Sequence, residues 1–330
     1  MIKKLLATAA ASVIAVAAYA EDIQPAVVYD LGGKFDQSFN QAAFTGAERF
    51  KEDTGIEYRD FEIQNDAQRE QALRRFARQG YDPIIAIGFS HGAAVDKVSA
   101  EFPETQFAIV DMVVDQPNVR SILFSEHEGS FLVGMLAALK SETGVVGFVG
   151  GMDIPLIRKF QCGYVGGAKA VNPEVEIVAN MTGTDGSAWN NPTRGAELTR
   201  AQIDAGADVV YHAAGGTGVG VLQAAADAGI FGIGVDSNQN GMHPGSVLTS
   251  MLKRVDNAVY DTFSDAMNDS FTPGFDVNGL AQRGVGFSID ENNEDLLTDE
   301  MLAAVYEAAY DISTGAVMVH DYMSDGSCPY

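Results

Sequence analysis

The stretch from Ala207 to Gln239, ADVVYHAAGGTGVGVLQAAADAGIFGIGVDSNQ, constrains the fold more tightly than any other part of the chain. Val209 to Ala214 is apolar, bounded by glycine and too short for a helix, so it predicts a buried strand. Leu222 to Ala228 has helical composition with Gly229 as its stop, and Gly232 to Val235 predicts the return strand. A strand regained through a helix runs parallel to the first. Gly215 to Gly218 and Asp236 to Gln239 therefore fall together at the carboxyl ends of neighbouring strands, where open α/β sheets bind ligands.

The same rhythm runs along the whole chain. Ala26 to Leu31 reads as a strand, Gly32-Gly33 as a sharp turn, and Asp36 or Ser38 as the cap of a helix with Phe39, Ala43, Gly46 and Phe50 on one apolar face, ending at Gly55. Tyr58 to Ile63 predicts a second strand, Gln68 to Gln79 an Arg-rich surface helix, Pro83 to Gly88 a third strand and Thr105 to Asp111 a fourth. After Val119 to Phe124 and a helix at Glu128 to Lys140, the pattern restarts at Val145 to Val149. The helix Leu156 to Ala170, the strand Val175 to Ala179 and the polar loop Thr182 to Pro192 follow. Ser246 to Met251 predicts a strand running into the helix Arg254 to Met267. Pro273 to Gly286 reads as loop and strand, and Thr298 to Ile312 as a terminal helix. Two α/β lobes without a flexible linker imply a chain that crosses between them more than once, with ligand in the cleft.

Lys3 and Lys4, the weakly apolar run Leu5 to Ala17 and Ala18-Tyr19-Ala20 form a signal-peptidase pattern, with cleavage expected after Ala20. No cysteine stands at that site, so a freely diffusing exported protein is expected, with no direct membrane anchor and a monomeric state. Removing Lys3 and Lys4 from the 21 basic residues leaves 19 against 45 acidic ones, a balance that repels nucleic acid and anionic lipid. The two cysteines, Cys162 and Cys328, match no zinc spacing. In an oxidising compartment they are expected to form one disulfide tying the C-terminal tail to the second lobe.

No nucleophile elbow, zincin helix or Walker loop is present, the five histidines are scattered singly, and neither metal nor cofactor is expected. Gly215-Gly216-Thr217-Gly218 resembles a dinucleotide loop, but the position three after Gly218 is Val221 rather than glycine. A tight turn that lets a smaller ligand approach the backbone is the better reading. What recurs is an aromatic, amide or carboxylate side chain at a strand tip: Phe39 and Asn40, Phe89, Asp111, Trp189 and Asn190, Asp236, Asn238. Flat rings and hydrogen-bond acceptors suit a planar heterocycle carrying hydroxyls, and with only Lys253 near these tips a neutral nucleoside fits better than a nucleotide.

Asp36-Gln37-Ser38-Phe39-Asn40-Gln41, Gly150-Gly151-Met152 with Pro155 and Phe160, Ala213 to Gly218, Gly234 to Gln239 and Ser250 to Arg254, in this order, resemble the basic membrane protein family of ABC-transporter substrate-binding proteins, which includes bacterial purine-nucleoside receptors. The resemblance implies a type I periplasmic-binding-protein fold, two doubly wound α/β lobes joined by three crossings with a ligand cleft between them. Residues 21–124 and 254–286 would form the first lobe, residues 125–253 and 287–330 the second. It implies Phe39 and Trp189 as stacking aromatics, Asn40 and Asp111 as base contacts, and Gly215, Asp236 and Lys253 as ribose contacts, with Asp36 beside them. An inner-membrane permease would be the partner. An exported nucleoside-cleaving enzyme, or a receptor module that senses without transport, is the alternative function.

Overall fold

A computed structural model describes residues 23–330. The signal-peptide reading of residues 1–20 lies outside the described residues.

In chain order the first half runs β1 (Ala26–Tyr29), α1 (Phe39–Thr54), β2 (Arg59–Glu62), α2 (Ala67–Arg78), β3 (Ile84–Ala86), α3 (Gly92–Glu101), β4 (Phe107–Val110), β5 (Val119–Phe124) and α4 (Glu126–Lys140). The second half runs β6 (Val145–Met152), α5 (Pro155–Val171), β7 (Glu176–Gly183), α6 (Pro192–Asp204), β8 (Val209–Ala213), α7 (Gly218–Ala228), β9 (Phe231–Asp236), β10 (Val247–Lys253), α8 (Val255–Met267), β11 (Gly274–Asn278), β12 (Val285–Phe287) and α9 (Asp299–Ser313).

These strands make two six-stranded sheets, ordered β11-β5-β4-β3-β1-β2 and β12-β10-β9-β8-β6-β7. The first is parallel throughout, and in the second only the β10–β12 pair is antiparallel. The central strands β1, β3, β4 and β8 are buried along their whole length, as parallel strands covered by helices on both faces must be. Helices α1 and α8 cover one face of the first sheet through Phe50, Val259 and Phe263, and α4 and α5 cover one face of the second.

The chain passes between lobes after β5, after β10 and between β11 and β12. The third crossing falls earlier than the expected boundary at residue 286, because β12 begins at Val285 and pairs with β10. The turn that makes it is closed by Gly284 donating to the carbonyl of Gly279 at 2.9 Å. Helix α2 also departs from expectation. Its Arg-rich sequence predicts a surface helix, but Arg69 is buried, its guanidinium turned inward to the Asp30 carboxylate at 2.8 Å. Cys162 of α5 and Cys328 are joined by a disulfide that pins the C-terminal tail to the second lobe.

Candidate functional site

A cavity lies between the lobes at the carboxyl ends of both sheets. All eight residues expected to contact ligand, Asp36, Phe39, Asn40, Asp111, Trp189, Gly215, Asp236 and Lys253, stand on its wall. Their hydrogen bonds divide them into scaffold and free surface.

On the first lobe, β1 ends and the backbone turns through Gly32 and Gly33, both at positive φ, into α1. The Asp36 carboxylate accepts the backbone N–H groups of Ser38 at 2.8 Å, Asn40 at 3.0 Å and Gln41 at 3.1 Å, so Asp36 rather than Ser38 caps the helix. Burial raises its pKa to about 6 despite these bonds. The Asn40 amide is equally committed. Its oxygen accepts from the N–H of Asp30 at 3.2 Å, and its nitrogen donates to the carbonyls of Asp30 at 3.2 Å and Gly33 at 3.1 Å. The amide expected to read a base thus holds the β1 loop in place, and beside it Phe39 turns its ring to the cavity.

Asp30, which is not among the eight expected contacts, also lines the cavity. It ends β1 as Asp111 ends β4, a polar residue after four apolar ones, and that signal was available. Its carboxylate accepts from Leu31 N–H at 2.7 Å, from Arg69 at 2.8 Å and from the Ser90 hydroxyl.

On the second lobe, Trp189 closes a short turn, Gly186–Trp189, and packs its indole on Gly151, where a Cβ would stand 2.1 Å from the ring. Glycine there is what seats the indole. Gly215 follows β8 at φ 55°, and α5 presents Leu156, Ile157 and Phe160 to the same space. Asn190 and Asn238 belong to the same series of strand-tip polar residues but stay exposed and off the cavity wall, Asn238 donating to Asp290 at 2.6 Å.

Asp111 and Asp236 both end strands in the left-handed region, at φ 68° and 64°. Such backbone is uncommon outside glycine, asparagine and aspartate, and it collects at functional sites. Asp236 Oδ2 accepts from the Ser38 hydroxyl at 2.5 Å, Ser237 Oγ donates to the Ser38 carbonyl at 2.7 Å, and Gln239 Nε2 donates to the Gln37 carbonyl at 3.0 Å. All three bonds run from one lobe to the other, so the cleft is closed.

Lys253, expected with Asp236 as a ribose contact, has its ammonium taken up by two other carboxylates. Its ammonium lies 2.6 Å from Asp111 Oδ2 and 2.9 Å from Glu126 Oε1, with the rings of Phe39, Phe124 and Phe160 at 5.1, 5.2 and 5.6 Å. Burial opposes its charge, yet Asp111, Glu126 and Asp236 hold it firmly protonated. Burial also raises Asp111 and Asp236 to about 6, against the pull of Lys253. Glu126 goes the other way, down to about 2, because Lys253 and Lys159 together outweigh its burial. A glutamate in a helix's first turn reads as a solvated cap, so Glu126 left no sequence signal of this role.

The cavity can stack an aromatic ring and accept hydrogen bonds from hydroxyl or N–H donors, while its cation is already neutralised. Among the described residues no group of three or more His, Cys, Asp or Glu is placed to hold a metal, and no helix is long and apolar enough to cross a membrane. Two parallel α/β lobes closed over such a space define a solute-binding protein of the type I periplasmic class. A family model described as ABC transporter substrate-binding protein, PnrA-like, matches residues 23–313. The chain is 34% identical to the CD4+ T-cell-stimulating antigen of Listeria monocytogenes over 91% of its own length and 88% of that protein's. It is 32% identical to the ABC transporter nucleoside-binding protein BmpA of Lactococcus lactis, covering 90% and 89% of the two chains. A crystal structure of an ABC transporter system solute-binding protein from Aeropyrum pernix K1 superposes with a TM-score of 0.82 at 30% identity, covering 90% of this chain and 92% of that one. The chain belongs to the PnrA-like family of ABC transporter substrate-binding proteins.

Proposed function

We propose that this protein is a freely diffusing exported receptor that encloses a purine nucleoside between its lobes and delivers it to an inner-membrane ABC permease, without chemistry of its own. One observation carries this reading: the closed cavity pairs aromatic faces with unsatisfied or adaptable carboxylates and leaves no cation free for a phosphate. Phe39 and Trp189 bracket the base. Asp111, whose Oδ1 has no partner among the described residues, accepts from an N–H on the base. Asp236 and the Gly215 turn receive the ribose hydroxyls. The likeness to a relative named as nucleoside-binding supports the same assignment.

Titration calorimetry with inosine, adenosine, guanosine and the free base hypoxanthine tests it. Binding of at least one ribonucleoside, well ahead of the free base and with no free base released on long incubation, is the expected result. Release of base would turn the reading toward a nucleoside-cleaving enzyme. Failure of every nucleoside to bind would remove it.

A further inference from the structure

Glu126 takes no part in the proposed ligand contacts, yet its side chain is only 1% exposed beside the cleft. It stands at the first position of α4, directly after the first crossing between lobes. One carboxylate oxygen reaches Lys253 at 2.9 Å and the other reaches Lys159 of α5 at 3.0 Å. Lys159 in turn donates to the Phe124 carbonyl at 2.7 Å and lies 3.6 Å from Asp321, on the tail that the Cys162–Cys328 disulfide ties to α5. Lys253, on the cavity wall, is therefore paired with a carboxylate that does not line the cavity and that is itself paired with a second lysine. From the first lobe only the Asp111 carboxylate reaches that ammonium, through Oδ2 alone.

The asymmetry matters for the ligand. With Asp111 as the one carboxylate in direct contact and Asp236 acting only at longer range, a buried ammonium would be drawn toward both oxygens of Asp111, because a buried charge takes whatever neutralisation is within reach. With Glu126 as a second carboxylate at 2.9 Å, the ammonium lies 5.1, 5.2 and 5.6 Å from the three rings, and Asp111 Oδ1 has no hydrogen-bond partner among the described residues. We propose that Glu126, braced by Lys159, is a positioning residue: it carries the charge of Lys253, so that the ammonium stays fixed on the cavity floor and Asp111 keeps one oxygen for the ligand. This inference rests on the cavity being the ligand site.

The test has a ligand-free arm and a binding arm. In protein labelled with 15N-lysine, the buried Lys253 ammonium should give a slowly exchanging resonance, assigned by its loss in Lys253→Arg. Glu126→Gln should shift or broaden that resonance in the absence of ligand, and Glu126→Asp should bring it back toward the parent position. In the binding arm, Glu126→Gln should weaken inosine about tenfold, with Glu126→Asp recovering most of the loss. Lys159→Met, which removes the brace and keeps Glu126, carries the same prediction at smaller amplitude and serves if Glu126→Gln does not fold. An unchanged Lys253 resonance in both Glu126→Gln and Lys159→Met would overturn the proposal, as would equal loss of binding in Glu126→Gln and Glu126→Asp. A parent protein that does not bind inosine would count against the nucleoside reading alone, since the ammonium spectra still decide the role of Glu126.

Discussion

Replacing Asp236 by asparagine should make the unliganded protein more stable at neutral pH while loosening its hold on a ribonucleoside. The carboxyl is buried, accepts one hydrogen bond from Ser38 at 2.5 Å, and has its pKa raised by that burial from 3.8 to about 6, Lys253 and the Ser38 bond notwithstanding. A carboxyl whose folded-state pKa lies above its unfolded value stabilises the fold fully below pH 3.8 and loses that contribution as pH rises through about 6. At pH 7.5 the ionised group therefore costs stability. The gap from 3.8 to about 6, at about 1.36 kcal/mol for each tenfold change in proton affinity, sets a ceiling of about 3 kcal/mol. Asparagine keeps an acceptor for Ser38 and is among the residues that best tolerate φ near 64°. The variant should gain up to that ceiling at pH 7.5 and nothing at pH 4. Its affinity for inosine should fall by about tenfold to hundredfold, since a charge-assisted bond to a hydroxyl contributes about 1.5 to 3 kcal/mol. Urea midpoints at the two pH values, with calorimetry at pH 7.5, measure both effects. A variant less stable than the parent at pH 7.5, or a gain of equal size at both pH values, would refute the reasoning.

Phe39→Ala and Trp189→Ala should each weaken nucleoside binding about tenfold to hundredfold, as stacking faces worth about 1 to 3 kcal/mol would. Parent-like calorimetry for both would end the sandwich. A 2′,3′-dideoxynucleoside should bind the parent poorly, because the buried Asp236 carboxylate loses its donors, and equal binding would mean that Asp236 does not read the sugar. Small-angle scattering should show a smaller radius of gyration with inosine than without, as three interlobe hydrogen bonds form on closure; an identical radius would indicate a cleft closed in both states. An unreduced peptide map should recover Cys162 and Cys328 as one linked species, and breaking that link should lower stability by about 2 to 4 kcal/mol.

Strand positions were legible because parallel strands must be continuously apolar, and a short run bounded by glycine has few other readings. Part of the cavity wall was legible for a related reason: in a parallel sheet the carboxyl ends of the strands lie on one side, so Asp111, Asp236 and the Gly215 turn, each following an apolar strand, are already placed there, while the roles of all eight wall residues came with the family resemblance. What a residue does at that tip depends on partners far away in sequence. Lys253 meets Asp111 across 142 positions, and Arg69 meets Asp30 across 39. No local pattern announces such pairs. Helix-face reasoning averages over side chains, so it places Arg69 on the surface with its neighbours, and a helix expected to begin at Glu128 leaves Glu126 outside it, although α4 begins at Glu126. Asp36 and Asn40 were placed on the cavity wall from the sequence, but their bonds run to backbone groups of the β1 loop, and only the folded loop reveals that commitment.

A nucleotide would meet a different cleft from the one a nucleoside meets. Among the residues lining the cavity, Lys253 is the one lysine or arginine, and its ammonium already lies between Asp111 and Glu126 and among three ring faces. A phosphate would have to displace a carboxylate held at 2.6 Å, or else sit near Asp30, Asp36, Asp111 and Asp236. A like-charge contact at about 4 Å costs on the order of 4 kcal/mol at the effective dielectric of partly buried sites. Burial has already pushed Asp36, Asp111 and Asp236 up to about 6, so an incoming anion would drive them further toward protonation and blunt them as hydroxyl acceptors. A neutral ligand rich in hydroxyls does the reverse, supplying donors to Asp111 and Asp236 and lowering the penalty of keeping them charged. In this reading the acids that attract the sugar and the acids that repel the phosphate are the same residues, and selectivity follows from repulsion as much as from contact.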